Sequence, residues 1–171
     1  MRLLMTSAAF LAAALSFSLM QPTAASAREV VSFRGDAQAG SIIVRMSERR
    51  LYYVLGDGRA VRYPVGVGRS GKQWAGTRYI DGKHLRPDWS PPADVKRDNP
   101  RLPNVIAGGS PRNPMGEAAL TLSGGTYAIH GTNAPGSIGG FVSYGCIRMF
   151  NRDVLDLYQR ASVGTSVTVT R

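Results

Sequence analysis

Seven of the chain's ten prolines lie between residues 81 and 116: Pro87, Pro91, Pro92, Pro100, Pro103, Pro111 and Pro114. Proline has no N–H to give a strand ladder, so this stretch is not a central strand. Strand signals lie on both sides of it. Ser41 opens a β-prone run through Ile42, Ile43, Val44 and Met46, and Leu51 to Leu55 make a second, with Tyr52 and Tyr53 inside it. Gly56-Asp57-Gly58 signals a turn, after which Ala60 to Val67 resume strand character. The same character returns at Ala118 to Leu122, at Thr126 to Ile129 and, after Gly164, at Ser166 to Thr170. Short strands joined by glycine turns, without βαβ alternation or internal repeats, predict a mostly β fold of the sandwich or barrel kind. One helix is expected over Asn151–Arg160. Asn151 is its candidate cap, Asp153 sits in its first turn, and Val154, Leu155, Leu157 and Tyr158 can face a core. The proline-rich stretch reads equally well as a binding loop or lid and as a rigid surface excursion.

The first 27 residues read as a secretory leader. Arg2 gives a positive start, Leu3 to Leu19 carry no charge, and Ala25-Ser26-Ala27 supplies the small residues that signal peptidase requires. A retained anchor is the competing reading. The apolar run is close to the lower limit for spanning a bilayer and is followed by a cleavage site, which favours removal before Arg28 and leaves no stable membrane anchor. Residues 28–40 are then a short lead-in and 41–171 a single domain of ordinary size. Arg2 is the only charge in the leader, so nearly all of the net charge of +10 stays in the mature chain. Such a chain is drawn to anionic surfaces. Export removes it from nucleic acid and points to anionic wall polymer or headgroups in the periplasm or cell envelope.

Cys146 is the only cysteine, so an internal disulfide is excluded. What remains is an intermolecular partner, a buried inert thiol or a reactive one. Its neighbours favour reactivity. Ile129-His130-Gly131-Thr132 ends a strand signal in a glycine turn, and sixteen residues after His130 comes Ser143-Tyr144-Gly145-Cys146-Ile147-Arg148-Met149. A thiol is mostly protonated at neutral pH, and an imidazole can take its proton and return it to a leaving group. The chain has only two histidines, His84 and His130. His84 reads as a loop residue. Gly131 is placed to orient His130 through its carbonyl. Gly145 lets the backbone turn sharply, and the N–H groups of Gly145 and Cys146 are a candidate oxyanion pair. Two histidines and one cysteine at these spacings match no zinc pattern, and no cofactor is expected. Trp89 reads as a packing anchor of the proline-rich loop.

The pattern His-Gly-Thr followed by Ser-x-Gly-Cys-Ile-Arg-Met resembles the L,D-transpeptidase catalytic domain. Leu51-Tyr52-Tyr53-Val54, Tyr63 to Gly68 and Gly76-Thr77 resemble that domain's early strands. Pro87-Asp88-Trp89-Ser90-Pro91-Pro92 and Asn113-Pro114-Met115-Gly116 resemble its proline-rich segment. The resemblance spans roughly residues 41–170 and implies a mostly β, sandwich-like fold with one or two short helices, one of them following the cysteine. It implies a cysteine enzyme acting on peptidoglycan tetrapeptide stems. Cys146 would be the nucleophile, His130 the general acid and base, and Gly131 the residue whose carbonyl holds the imidazole. Gly145, Ser143, Tyr144 and Arg148 would shape the site, with Arg148 meeting a substrate carboxylate. The acyl group would pass to an amine of another stem or of an envelope lipoprotein. Two positions depart from the family pattern: Tyr144 stands where many members carry His, and Trp74-Ala75-Gly76 replaces the usual Thr-Pro-x-Gly.

Three rivals remain at this level. A carboxypeptidase would use the same residues with water as acceptor. Papain-like and amidase enzymes place the cysteine before the histidine, the reverse of this chain, and a sortase spaces its arginine further from the cysteine. A non-catalytic wall-binding module would suit the basic charge but has no need of a reactive thiol. Replacing His130 with alanine should lower turnover of a tetrapeptide stem ~10²-fold or more, as loss of a general base does. A near-normal rate in that variant would place the base elsewhere.

Overall fold

The computed structural model describes residues 28–171; the expected leader, residues 1–27, lies outside the described residues. Six strands precede the proline-rich segment: β1 (Glu29–Ser32), β2 (Ile42–Arg45), β3 (Arg50–Gly56), β4 (Arg59–Pro64), β5 (Val67–Gly68) and β6 (Gly76–Leu85). A short helix α1 (Ala93–Asp98) lies within that segment. Then come β7 (Ala118–Leu122), β8 (Ala128–His130), β9 (Phe141–Ser143), β10 (Ile147–Arg148), α2 (Asn151–Arg160) and β11 (Ser166–Thr170). Among the described residues no helix is long and apolar enough to cross a membrane.

Nine strands form one continuous ladder in the order β1-β4-β3-β2-β11-β6-β7-β8-β10, and β5 pairs with β9 separately. The joint of this ladder is β6. Gly76–Tyr79 pair with β11, Ile80–Leu85 pair with β7, and the register shifts between Ile80 and Gly82. A bulge of this kind bends a strand and increases its twist. The two halves of the ladder therefore share one core: Ile42, Val44, Leu51 and Val167 from one half lie in the same buried cluster as Leu120, Leu122, Ile129 and Ile147 from the other. This is the expected mostly β, sandwich-like arrangement with two helices. The closing strand β11 is central, parallel to β2 and antiparallel to β6. Helix α2 buries Val154 and Leu157 against the core, while Leu155 and Tyr158 are only partly covered.

Three expectations about local structure change. The first strand lies before Ser41, within the lead-in: Glu29–Ser32 form edge strand β1 along β4, and Phe33 packs with Tyr52, Val54 and Ala60. The irregular segment begins after Leu85, not at residue 81. Residues 81–85 look polar because that half of β6 is largely exposed, and His84 faces Ala119 across the β6–β7 ladder and is not in a loop. Asn151 does not cap α2. Phe150 holds the cap position without a side-chain bond and Asn151 is the first helical residue.

The Asn151 side chain is used elsewhere. Its Oδ1 accepts the backbone N–H of Glu117 at 3.2 Å and that of Thr132 at 3.0 Å. Two glycines leave room for this contact. A Cβ on Gly131 would lie 2.2 Å from that oxygen, and one on Gly116, whose φ is +66°, would lie 2.1 Å from it. Side chains at both positions are therefore excluded. Asn151→Ala leaves two partly buried N–H groups without an acceptor and should reduce unfolding free energy by about 2 kcal/mol in urea titrations. A loss below about 0.5 kcal/mol would show that water replaces the amide at no cost.

Candidate active site

Cys146 sits on the turn between β9 and β10, half-buried and with a free thiol. The turn depends on Gly145, which is buried with φ +117°; a Cβ there would meet the Tyr127 ring at 2.4 Å. Three side-chain bonds hold the backbone. Ser143 Oγ donates to the Cys146 carbonyl at 2.6 Å and accepts the Gly145 N–H at 3.1 Å. Trp74 Nε1 donates to the Gly145 carbonyl at 2.8 Å. The expected oxyanion pair is thus reduced: Gly145 N–H is spent on Ser143, and only the Cys146 N–H has no hydrogen-bond partner among the described residues.

His130 ends β8, beside β10, where it is the register partner of Arg148. It is 4% exposed. Its Nδ1 lies 2.7 Å from the Gly131 carbonyl. A carbonyl can only accept, so Nδ1 carries the proton and Nε2 is the basic nitrogen of the neutral ring. Cys146, His130, Ser143, Tyr144 and Arg148 line one cleft, roofed by Trp89, Pro92, Val95, Pro114 and Met115. Of the seven residues singled out from the sequence, five therefore face a common space. Gly131 and Gly145 act through the backbone behind it.

Burial sets the protonation states. Desolvation, helped by the nearby Arg148 cation, pushes His130 down to about 4, against the opposing pull of the Gly131 and Pro114 carbonyls. Burial pushes the Cys146 thiol up, while Arg148 and a backbone hydrogen bond from Ala128 draw it down. At neutral pH the pair is therefore thiol and imidazole, both uncharged. Arg148 is half-buried, and among the described residues no carboxylate acts on it.

The proline-rich segment roofs the cleft, which supports the binding-loop reading over a surface excursion remote from the site. Trp89 exchanges both backbone hydrogen bonds with Ile106, at 2.9 and 2.8 Å, and its side chain also lines the cleft. Asn113 is buried. Its Nδ2 lies 2.9–3.1 Å from the carbonyls of Pro87, Ile106 and Ala107, and its Oδ1 accepts the Met115 N–H at 2.9 Å. Helix α1 is tied to the cysteine turn. Tyr144 OH donates to Asp98 Oδ2 at 2.6 Å, Arg69 reaches the same oxygen at 2.7 Å, and Lys72 pairs with Asp94 at 2.7 Å. Sequence reasoning missed Asn113 and Asp98 as individuals and noticed Trp74 only as a departure from a pattern.

The match to known proteins agrees with this geometry. Residues 39–169 match the family described as YkuD: L,D-transpeptidase catalytic domain. The chain belongs to that family. It is 38% identical over 143 residues to the protein named "Probable L,D-transpeptidase ErfK/SrfK" of Escherichia coli K12, covering 78% of this chain and 45% of that one. It is 39% identical over 135 residues to "Probable L,D-transpeptidase YbiS" of the same strain, covering 74% and 43%. The chain thus spans less than half the length of these relatives. Among solved structures, an L,D-transpeptidase from Mycobacterium smegmatis superposes with a TM-score of 0.61 at 17% identity, over 76% of this chain and 58% of that one. L,D-transpeptidase 3 from Mycobacterium tuberculosis gives 0.59 at 16%, over 78% and 61%. These two share the fold.

For this L,D-transpeptidase family member, Arg148 is the electrostatic lever on both titrating groups. It lowers His130 and also lowers Cys146. Arg148→Gln should therefore raise both: the imidazole, followed by NMR, moves up from about 4. The pH midpoint of Cys146 alkylation by iodoacetamide, already above that of an unperturbed thiol, moves further up. A downward shift of either group would contradict the assignment.

Proposed function

We propose that this chain is an exported L,D-transpeptidase of the cell envelope, acting on peptidoglycan tetrapeptide stems through an acyl-enzyme on Cys146. The observation that carries the reading is the convergence of Cys146, His130 and the cation Arg148, which has no carboxylate partner among the described residues, on one cleft. A stem ends in a carboxylate, and the Arg148 cation in the cleft supplies a complementary charge for it. Cys146 passes its proton to His130 Nε2 as Sγ attacks the carbonyl carbon of the L-centre residue. The oxyanion meets the Cys146 N–H. The carbon–nitrogen bond then breaks, His130 returns the proton to the departing D-alanine amine, and a thioester remains. An amine from another stem or an envelope lipoprotein attacks the thioester, gives up its proton through His130 and frees the thiol. The roof of Trp89, Pro92, Val95, Pro114 and Met115 is apolar, which favours an amine over bulk water as acceptor. The leader signal and the basic charge suit an enzyme working on anionic wall polymer.

The test uses a defined tetrapeptide stem with and without an amine acceptor, and mass spectrometry of the products. The expected result is D-alanine release together with a cross-linked product in wild type, and neither in Cys146→Ala. Cys146→Ala should still bind wall sacculi. Unchanged cross-linking by Cys146→Ala would sink the reading, and tripeptide formation as the sole product despite excess amine would establish the carboxypeptidase alternative.

A further inference from the structure

Trp74 stands where the family pattern has another residue, and it touches the nucleophile's own peptide unit. The peptide between Gly145 and Cys146 is trans, as are all others among the described residues. In a trans peptide the C=O and the following N–H point in opposite directions. The Gly145 carbonyl and the Cys146 N–H are the two ends of that one rigid plane. Trp74 Nε1 holds the carbonyl end at 2.8 Å, so it also fixes where the N–H end points. With the Gly145 N–H bound to Ser143, the Cys146 N–H is the donor left at the nucleophile.

The donor is itself held rigidly. The indole stacks on Tyr127 with centroids 5.1 Å apart and planes 3° from parallel. Arg78 lies 5.1 Å from the centroids of both rings, a stacked cation–aromatic contact that adds order. Tyr127 also fills the space that a Gly145 side chain would need. Trp74 is absent from the lining of the catalytic cleft and borders a separate surface hollow with Gly76, Arg78 and Gly124. It therefore acts from behind the turn and does not touch substrate.

We propose that Trp74 is a positioning residue for acyl transfer: its indole N–H locks the Gly145–Cys146 peptide so that the Cys146 N–H faces the developing oxyanion. The inference rests on the acyl-transfer reading above. The reaction arm measures D-alanine release from a tetrapeptide stem. The control arm measures alkylation of Cys146 by iodoacetamide, which displaces iodide and forms no oxyanion. Trp74→Phe keeps a ring on Tyr127 and removes the donor. Loss of a whole oxyanion donor costs about 10²–10³ in kcat, so a misaimed one should cost about tenfold or more. KM and the alkylation rate should stay at wild-type values, and cooperative unfolding should persist with Tm lowered by a few degrees at most. If Trp74→Phe does not fold, 3-benzothienylalanine at position 74 preserves the bicyclic shape with sulfur in place of N–H, and the same readouts apply. Wild-type kcat in the variant, or a parallel fall in kcat and alkylation, would overturn the inference. A wild-type protein inert toward the stem would overturn the acyl-transfer reading itself, and this inference with it.

Discussion

Three stretches of backbone meet at the amide oxygen of Asn151, in a space that two glycines keep empty. The oxygen takes the N–H of Glu117, where the roof segment returns to β7, and the N–H of Thr132, just beyond β8. Around this point Gly131 N–H reaches the Ala118 carbonyl and Met149 N–H reaches the His130 carbonyl, at 3.0 and 2.8 Å. The helix, the end of the roof, the histidine strand and the strand after the cysteine are thereby locked to one another. The Gly131 carbonyl, held in this knot, is the one that orients His130. The geometry of the candidate site is a by-product of close backbone approach, and a methyl group at either glycine would push the elements apart.

The roof depends on the same knot and on two further anchors. Asn113 gathers the ends of the loop from inside, where its amide hydrogen bonds are shielded from water. Asp98 and Asp94 hold α1 from outside through Arg69, Tyr144 and Lys72. These outer pairs are largely exposed and contribute little stability individually. Tyr144, on the cysteine turn, is thus a link between Cys146 and the roof. Burial in the cleft lowers the imidazole and raises the thiol, which holds both firmly uncharged at neutral pH. In the proposed acyl transfer no thiolate is stored; the proton would move to His130 as the thiol attacks.

Much of this was legible in the sequence, for identifiable reasons. Helix α2 and strand β11 could be bounded to the residue, because apolar periodicity and a following glycine mark them. Cys146 and His130 stood out because thiols and imidazoles are scarce in this chain. The second half of β6 was hidden by its exposure, since a strand with a wet face and few apolar residues reads as loop. β1 was hidden by its length of four residues with no fully buried side chain. Asn151 looked like a helix cap because asparagine before an apolar helix usually is one, and only the tertiary fold diverts its amide to residues 34 and 19 positions away. Trp74 lies 71 residues before the carbonyl it holds, a distance over which no local pattern carries information.

In the proposed reaction Cys146 carries the acyl group between donor and acceptor. Intact-mass measurement of the protein mixed with a tetrapeptide stem and quenched in acid tests this directly. The predicted result is an adduct with the mass of the stem minus D-alanine, located after proteolysis on the peptide containing Cys146. Turnover of the stem with Cys146 unmodified at every quench time, or an adduct on another residue, would contradict it.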